Sequence, residues 1–145
     1  MQRERKIKVV VADDSSIVLA MTVRYFRQNE QFQVVGEAEN GLEALELLAR
    51  LQPDLLVMDY QMPRLNGLEA LREIRRRSLP VKVILTSSED FAQIWEGTGA
   101  DAFFPKGEAL SKLSELAAGL LPDGDPGGPQ AFAIQKERPE GLILI

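Results

Sequence analysis

Short apolar runs alternate with stretches of helical period along most of the chain, and few folds accommodate that order. "IKVVVA" (Ile7–Ala12), "FQVVGEA" (Phe32–Ala38), "LLVM" (Leu55–Met58), "VKVIL" (Val81–Leu85) and "DAFF" (Asp101–Phe104) are short and mostly β-branched or aromatic. They read as strands. Between them, Leu42, Leu45, Leu48 and Ala49 share one helical face, as do Leu68, Leu71 and Ile74, and Leu110, Leu113 and Leu116 or Ala117. The segment from Ser15 to Gln28 is helical by length and content, and Phe91–Gly97 is a short fourth helix of the series. Five strands alternating with five helices predict an α/β, doubly wound, five-stranded parallel sheet with helices on both faces and right-handed crossovers.

In such sheets the loops after the carboxyl ends of the strands gather along one edge, where sites form. The first predicted strand runs out into Asp13 and Asp14, the third into Asp59, the fourth into Thr86, and the fifth into Phe104-Pro105-Lys106. Each has an ordinary explanation on its own. Asp59 serves as a turn former, "DDS" as a helix cap, Thr86 as a strand-end hydroxyl and Lys106 as a surface lysine. Their joint placement at successive strand ends is what those explanations leave out.

Composition narrows the chemistry available there. The chain has 145 residues, no cysteine and no histidine. Disulfides, thiolate nucleophiles, imidazole bases and His or Cys metal ligands are therefore excluded within it. A net charge of -5 gives no support to direct nucleic-acid binding. The basic run Arg75–Arg77 falls at a predicted helix end, where cations are favoured anyway. No apolar run approaches the ~20 residues of a membrane helix, and the N-terminus does not read as a signal peptide. The expected location is cytoplasmic.

Carboxylates, a hydroxyl and a lysine remain. Two like charges ~4 Å apart repel by about 4 kcal/mol at an effective dielectric near 20. Three carboxylates against one lysine must therefore keep a proton or take a divalent cation. All-oxygen ligands with room for water suit Mg²⁺. Beside such an ion a carboxylate can act as nucleophile and form an aspartyl-phosphate, with Lys106 and Thr86 holding the other phosphoryl oxygens.

With these residues in view, the stretches "VVVADDSS", "VVGEAENGLEAL", "PDLLVMDYQMPRLNGLEALREIR", "VKVILTSS" and "GADAFFPK" resemble the receiver domain of two-component response regulators, from about Ile7 to Leu121. The resemblance implies a flavodoxin-like (βα)5 fold, as in chemotaxis receivers. It also implies a phosphoryl group taken from a histidine kinase or phosphotransfer partner. Asp59 matches the phosphoacceptor. Asp13 and Asp14 match the acidic pair that holds Mg²⁺, joined by Asp59 and the backbone carbonyl of Gln61. Thr86 matches the switch hydroxyl, Phe103 the aromatic whose rotamer follows it, and Lys106 the lysine that contacts the phosphoryl. Pro63 and Gly67 shape the loop after the acceptor. Gln61 and Ser88 stand where the family tunes phosphate lifetime.

The sequence departs from the family in three places. The family usually has proline after the lysine, whereas here Pro105 precedes Lys106 and Gly107 follows it. The fifth loop is accordingly expected to take a different path. The aromatic is Phe103 and not the commoner tyrosine. The stretch from Thr86 to Lys106 is about two residues shorter than usual, the deficit falling around the fourth helix.

Residues 1–121 are thus expected to form one domain, with a Pro/Gly linker over 122–130 and a tail over 131–145. "FAIQ" and "LILI" in the tail suit a small hairpin or a segment that docks on the domain or on a second subunit. A phosphorylation-dependent or tail-mediated homodimer is one consequence. The chain is read as a stand-alone receiver or one cut from a longer regulator, and as a signalling switch, not an enzyme. A Mg²⁺-dependent aspartyl-phosphate phosphatase is the competing reading. It wants an acid two residues after the nucleophile, where Gln61 stands. A pseudo-receiver acting only as a binding module, and a flavin-binding domain lacking a phosphate loop, are weaker still.

Overall fold

The computed structural model describes residues 5–88 and 98–121. Five strands form one parallel sheet: β1 (Ile7–Ala12), β2 (Phe32–Ala38), β3 (Leu55–Asp59), β4 (Lys82–Ser87) and β5 (Ala102–Pro105). Their order is β2-β1-β3-β4-β5, the flavodoxin-like arrangement whose order reverses between β1 and β3. Four helices are described: α1 (Ser16–Arg27), α2 (Gly41–Leu51), α3 (Gly67–Arg76) and α4 (Leu110–Leu120). The helix expected over Phe91–Gly97, and the linker, tail and hairpin after Leu121, lie outside the described residues.

Strand pleating divides the core. Val9 and Val11, Leu55 and Val57, Ile84, and Ala102 with Phe104 pack against Leu19, Val23 and Phe26 of α1 and Leu113, Leu116, Ala117 and Leu120 of α4. Their neighbours in the chain, Val10, Leu56, Met58, Val83, Leu85 and Phe103, face Ala44, Leu45 and Leu48 of α2 and Ala70, Leu71 and Ile74 of α3. This is the period of two that a sheet covered on both faces requires.

The helices begin where short polar side chains cap them. Ser15 accepts from Val18 N and Asn40 from Glu43 N, while Asn66 and Glu69 form a reciprocal capping box. Two of these caps are Asn-Gly pairs, and both glycines are there for close approach. A Cβ on Gly41 would stand 2.2 Å from the Leu65 carbonyl oxygen, and one on Gly67 2.4 Å from that of Asp59.

Strand ends fall slightly beyond the sequence expectation at β3 and β4, so that Asp59 and Thr86 are the last pair of their ladder. Pro105 ends β5, which among the described residues pairs only with β4. An edge strand tolerates a residue with no N–H to donate.

Candidate functional site

Asp13 follows β1 directly and is held by its backbone, whose N–H donates to Ala38 O at 3.0 Å. Its Oδ1 accepts from Ser15 N at 2.9 Å, the same serine that caps α1. Asp59 closes β3 and is 5% exposed, against 3% for Asp13. Asp14 is exposed. One carboxylate oxygen from each of the three lies within 4.8 Å of the others.

The loop after Asp59 is fastened by its backbone. Tyr60 N–H donates to Thr86 O at 2.8 Å, Gly67 N–H to Tyr60 O at 2.8 Å, and Gly41 N–H to Leu65 O at 2.9 Å. Sequence reasoning assigned loop shaping to Pro63 and Gly67. It missed Gly41, for which the repeated Asn-Gly was the available signal.

Lys106 arrives from the edge strand despite the proline that precedes it. Its N–H donates to Ser87 O at 2.9 Å, and its Nζ lies 2.8 Å from Asp13 Oδ2 and 3.3 Å from Asp59 Oδ2. The reordered "FPKGE" therefore leaves the lysine within reach, with Gly107 at φ +102° absorbing the turn.

Charge is unbalanced here. Burial, then the neighbouring Asp13, push the Asp59 carboxyl above its ordinary value, against the opposing pull of Lys106 and a long hydrogen bond from Gln61 N–H. Lys106 is raised too: partial burial works against its charge, but the hydrogen bond to Asp13 and the charges of both aspartates outweigh it. Three carboxylates against one lysine, with the Asp59 carboxyl pushed toward protonation, fit a hard divalent cation. Asp14, Tyr60, Gln61, Pro63 and Asn66 line an open depression of about 530 Å³ beside this cluster.

Of the residues singled out in the sequence, Asp13, Asp14, Asp59 and Lys106 come together, and Thr86 sits beside Asp59 in the ladder. Phe103 is buried on β5, 8% exposed. It packs in the core on the α2/α3 side, whereas Thr86, Phe104 and Lys106 line a cavity on the α1/α4 side. That cavity had no separate signal in the sequence beyond the side-chain-free Gly107 at its wall.

The family profile described as "Response regulator receiver domain" matches residues 9–118. A protein-glutamate methylesterase/protein-glutamine glutaminase of Pyrococcus horikoshii is 43% identical over 84 residues, 58% of this chain and 23% of that protein. The transcriptional regulatory protein YdfI of Bacillus subtilis is 36% identical over 88 residues, 60% of this chain and 41% of that protein. The chain thus spans about a quarter of the length of the methylesterase, the match covering only its receiver part. Among solved structures, the signal receiver domain of NarL from Mycobacterium tuberculosis superposes with a TM-score of 0.78 at 29% identity, covering 83% of this chain and 99% of that one. The response regulator domain of Thermotoga maritima CheB gives 0.66 at 34% identity, covering 81% and 92%. With the profile running from β1 into α4, this chain belongs to the response regulator receiver domain family.

Proposed function

We infer that the chain is a phosphorylation-controlled binding switch in which Asp59 is the acceptor. The observation that carries this reading is the convergence of Asp13, Asp14, Asp59 and Lys106 on one edge of the sheet. An Asp59 oxygen attacks phosphorus, the bond from phosphorus to the donor's imidazole nitrogen breaks, and the leaving imidazole takes up a proton. The lack of histidine in the chain is consistent with a donor histidine on a histidine kinase or phosphotransfer partner. Asp13, Asp14, Asp59 and the Gln61 carbonyl would hold Mg²⁺, which would supply charge neutralisation for the phosphoryl oxygens.

The remaining roles belong to the chain itself. Lys106 offers its ammonium to a phosphoryl oxygen, and the Thr86 hydroxyl donates to another. The new group brings ~1.5–2 negative charges into a site already short of cations. It thereby draws both side chains toward Asp59 and biases the surface around them, Phe103 included. The ester-phosphatase alternative is disfavoured because Gln61, unlike an acid, has no proton to give a leaving group.

Intact-mass spectrometry after incubation with acetyl phosphate tests the acceptor role. One phosphoryl adduct that requires Mg²⁺ and is absent from Asp59→Asn is the expected result. An adduct retained in Asp59→Asn, or none in the wild type with the donor unconsumed, refutes it.

A further inference from the structure

A cavity of about 240 Å³ opens between α1, the β5–α4 connection and the first turn of α4. Its walls are mainly Val18, Met21, Val57, Phe104, Leu110 and Leu113. It runs from the exposed Met21 inward to the ends of β1, β3 and β4. An apolar recess of this kind becomes a ligand site when a few polar groups converge on it.

Two hydroxyls do so here. Thr22 on α1 is 7% exposed and Thr86 on β4 is 6% exposed, and both line the cavity. Neither side chain has a hydrogen-bond partner among the described residues. A hydroxyl taken out of water without a partner is unfavourable, and folded proteins rarely leave one so. The pair therefore points to a partner that comes from the cavity side.

Charge and size narrow what that partner is. The ionic groups around the cavity are already matched: Lys106 Nζ lies 2.8 Å from Asp13 Oδ2, and Lys112 Nζ 3.1 Å from Glu108 Oε1. A charged ligand would shed its hydration and meet no unpaired counter-charge, so the walls select a neutral one. An apolar cavity of about 150 Å³ takes benzene, and by proportion this one takes about ten heavy atoms. The Met21 thioether and the Phe104 ring favour an aromatic body.

We propose that the α1/α4 cavity binds a small uncharged aromatic molecule carrying a hydroxyl. Its ring lies among Met21, Phe104 and Leu113, and its hydroxyl meets the unpartnered threonines. An occupant so held keeps the Thr86 hydroxyl from Asp59. That consequence rests on the phosphoacceptor reading above; the binding itself does not.

The test titrates the full chain with 4-ethylphenol, followed by ¹H–¹⁵N spectra, and needs no phosphorylation. The expected result is saturable shifts at Val18, Thr22, Thr86, Phe104 and Leu113, half complete below about 1 mM. Leu45 and Leu71, on the other face of the sheet, stay unmoved. Thr22→Val combined with Thr86→Val should weaken 4-ethylphenol about tenfold and leave ethylbenzene unchanged. Val18→Trp, at a half-buried position of the wall, should abolish the binding of both. Shifts that fail to saturate, or that spread over both faces, leave water as the only occupant and overturn the proposal. So does 4-ethylbenzoate binding as tightly as the phenol, which assigns the cavity to an anion, or a phenol affinity that the two valines leave unchanged. Loss of the phosphoryl adduct in the mass experiment, by contrast, leaves this result untouched.

Discussion

Lys106 is anchored on Asp13, at 2.8 Å, more closely than on Asp59, at 3.3 Å. The ammonium therefore sits between two buried carboxylates that would otherwise face each other. Lys106→Met leaves that pair uncompensated and is expected to lower the unfolding free energy by about 2 kcal/mol. Chemical denaturation without divalent cation measures it. Adding Mg²⁺ should recover most of the loss, since the ion takes over the same neutralisation. A variant as stable as the wild type in metal-free buffer would contradict the anchoring.

Asp59 predicts the opposite sign. Its carboxyl is raised above the ordinary carboxylate value, chiefly by burial and then by Asp13. A raised carboxylate means the unfolded chain releases its proton first as pH climbs. Stability is thus lost as pH rises from the ordinary carboxylate range through the folded value, and the cost stays in full above it. Asp59→Asn removes that cost. The variant should be the more stable protein in metal-free buffer at neutral pH, with an advantage that shrinks on acidification below the folded value. Urea midpoints across a pH series would show it, and an advantage independent of pH would defeat the assignment.

The two Asn-Gly glycines are expected to be intolerant for a steric reason. A methyl at Gly67 would meet the Asp59 carbonyl and one at Gly41 the Leu65 carbonyl, both backbone atoms with no rotamer to escape into. Each alanine variant should cost about 1–3 kcal/mol, and Gly67→Ala should also slow adduct formation by displacing Asp59. Gly107→Ala is the control. It has open space around it and only its positive φ to resist substitution, at about 1 kcal/mol. Thermal melts of the three variants give the order.

Arg75 makes a further prediction. Its guanidinium donates to Gly99 O at 3.1 Å, Val81 O at 3.2 Å and Asp101 Oδ2 at 2.8 Å, and the same Asp101 oxygen accepts from Val83 N–H at 2.8 Å. One side chain thus ties the end of α3 to the starts of β4 and β5. Arg75→Leu should destabilise by about 1–2 kcal/mol, and Arg75→Lys should not rescue it, because an ammonium lacks the planar fork. Full rescue by lysine in denaturation curves would show that only the charge matters.

The alternation of periods made the sheet, its two covered faces and the edge carrying Asp13, Asp59 and Thr86 readable from the chain, because strand ends follow directly from where apolar runs stop. Contacts made by long side chains were not readable in the same way. The run Arg75–Arg77 looked like charge at a helix end. Arg76 and Arg77 fit that description, gripping Glu73 and drawing its carboxyl down to about 2 through their hydrogen bonds. Arg75, one residue earlier, turns to the crossover instead, and only the position of Asp101 in space reveals it. Phe103 packs among the α2/α3 side chains while Thr86 lines the α1/α4 cavity, a division that only the pleat in space displays. The β1–β2 ladder also slips between Val9 and Val10, a local irregularity that no period announces.

That pleat has a wider consequence. Because each strand deals its side chains alternately to the α1/α4 and α2/α3 layers, the sheet acts as a bulkhead between two compartments of packing. A volume change in one is relieved among its own helices before it reaches the other, so paired substitutions across the sheet should sum, while pairs within a layer should couple. The helical layer beside Met21 can therefore be rebuilt to suit a new occupant without disturbing the packing behind Phe103.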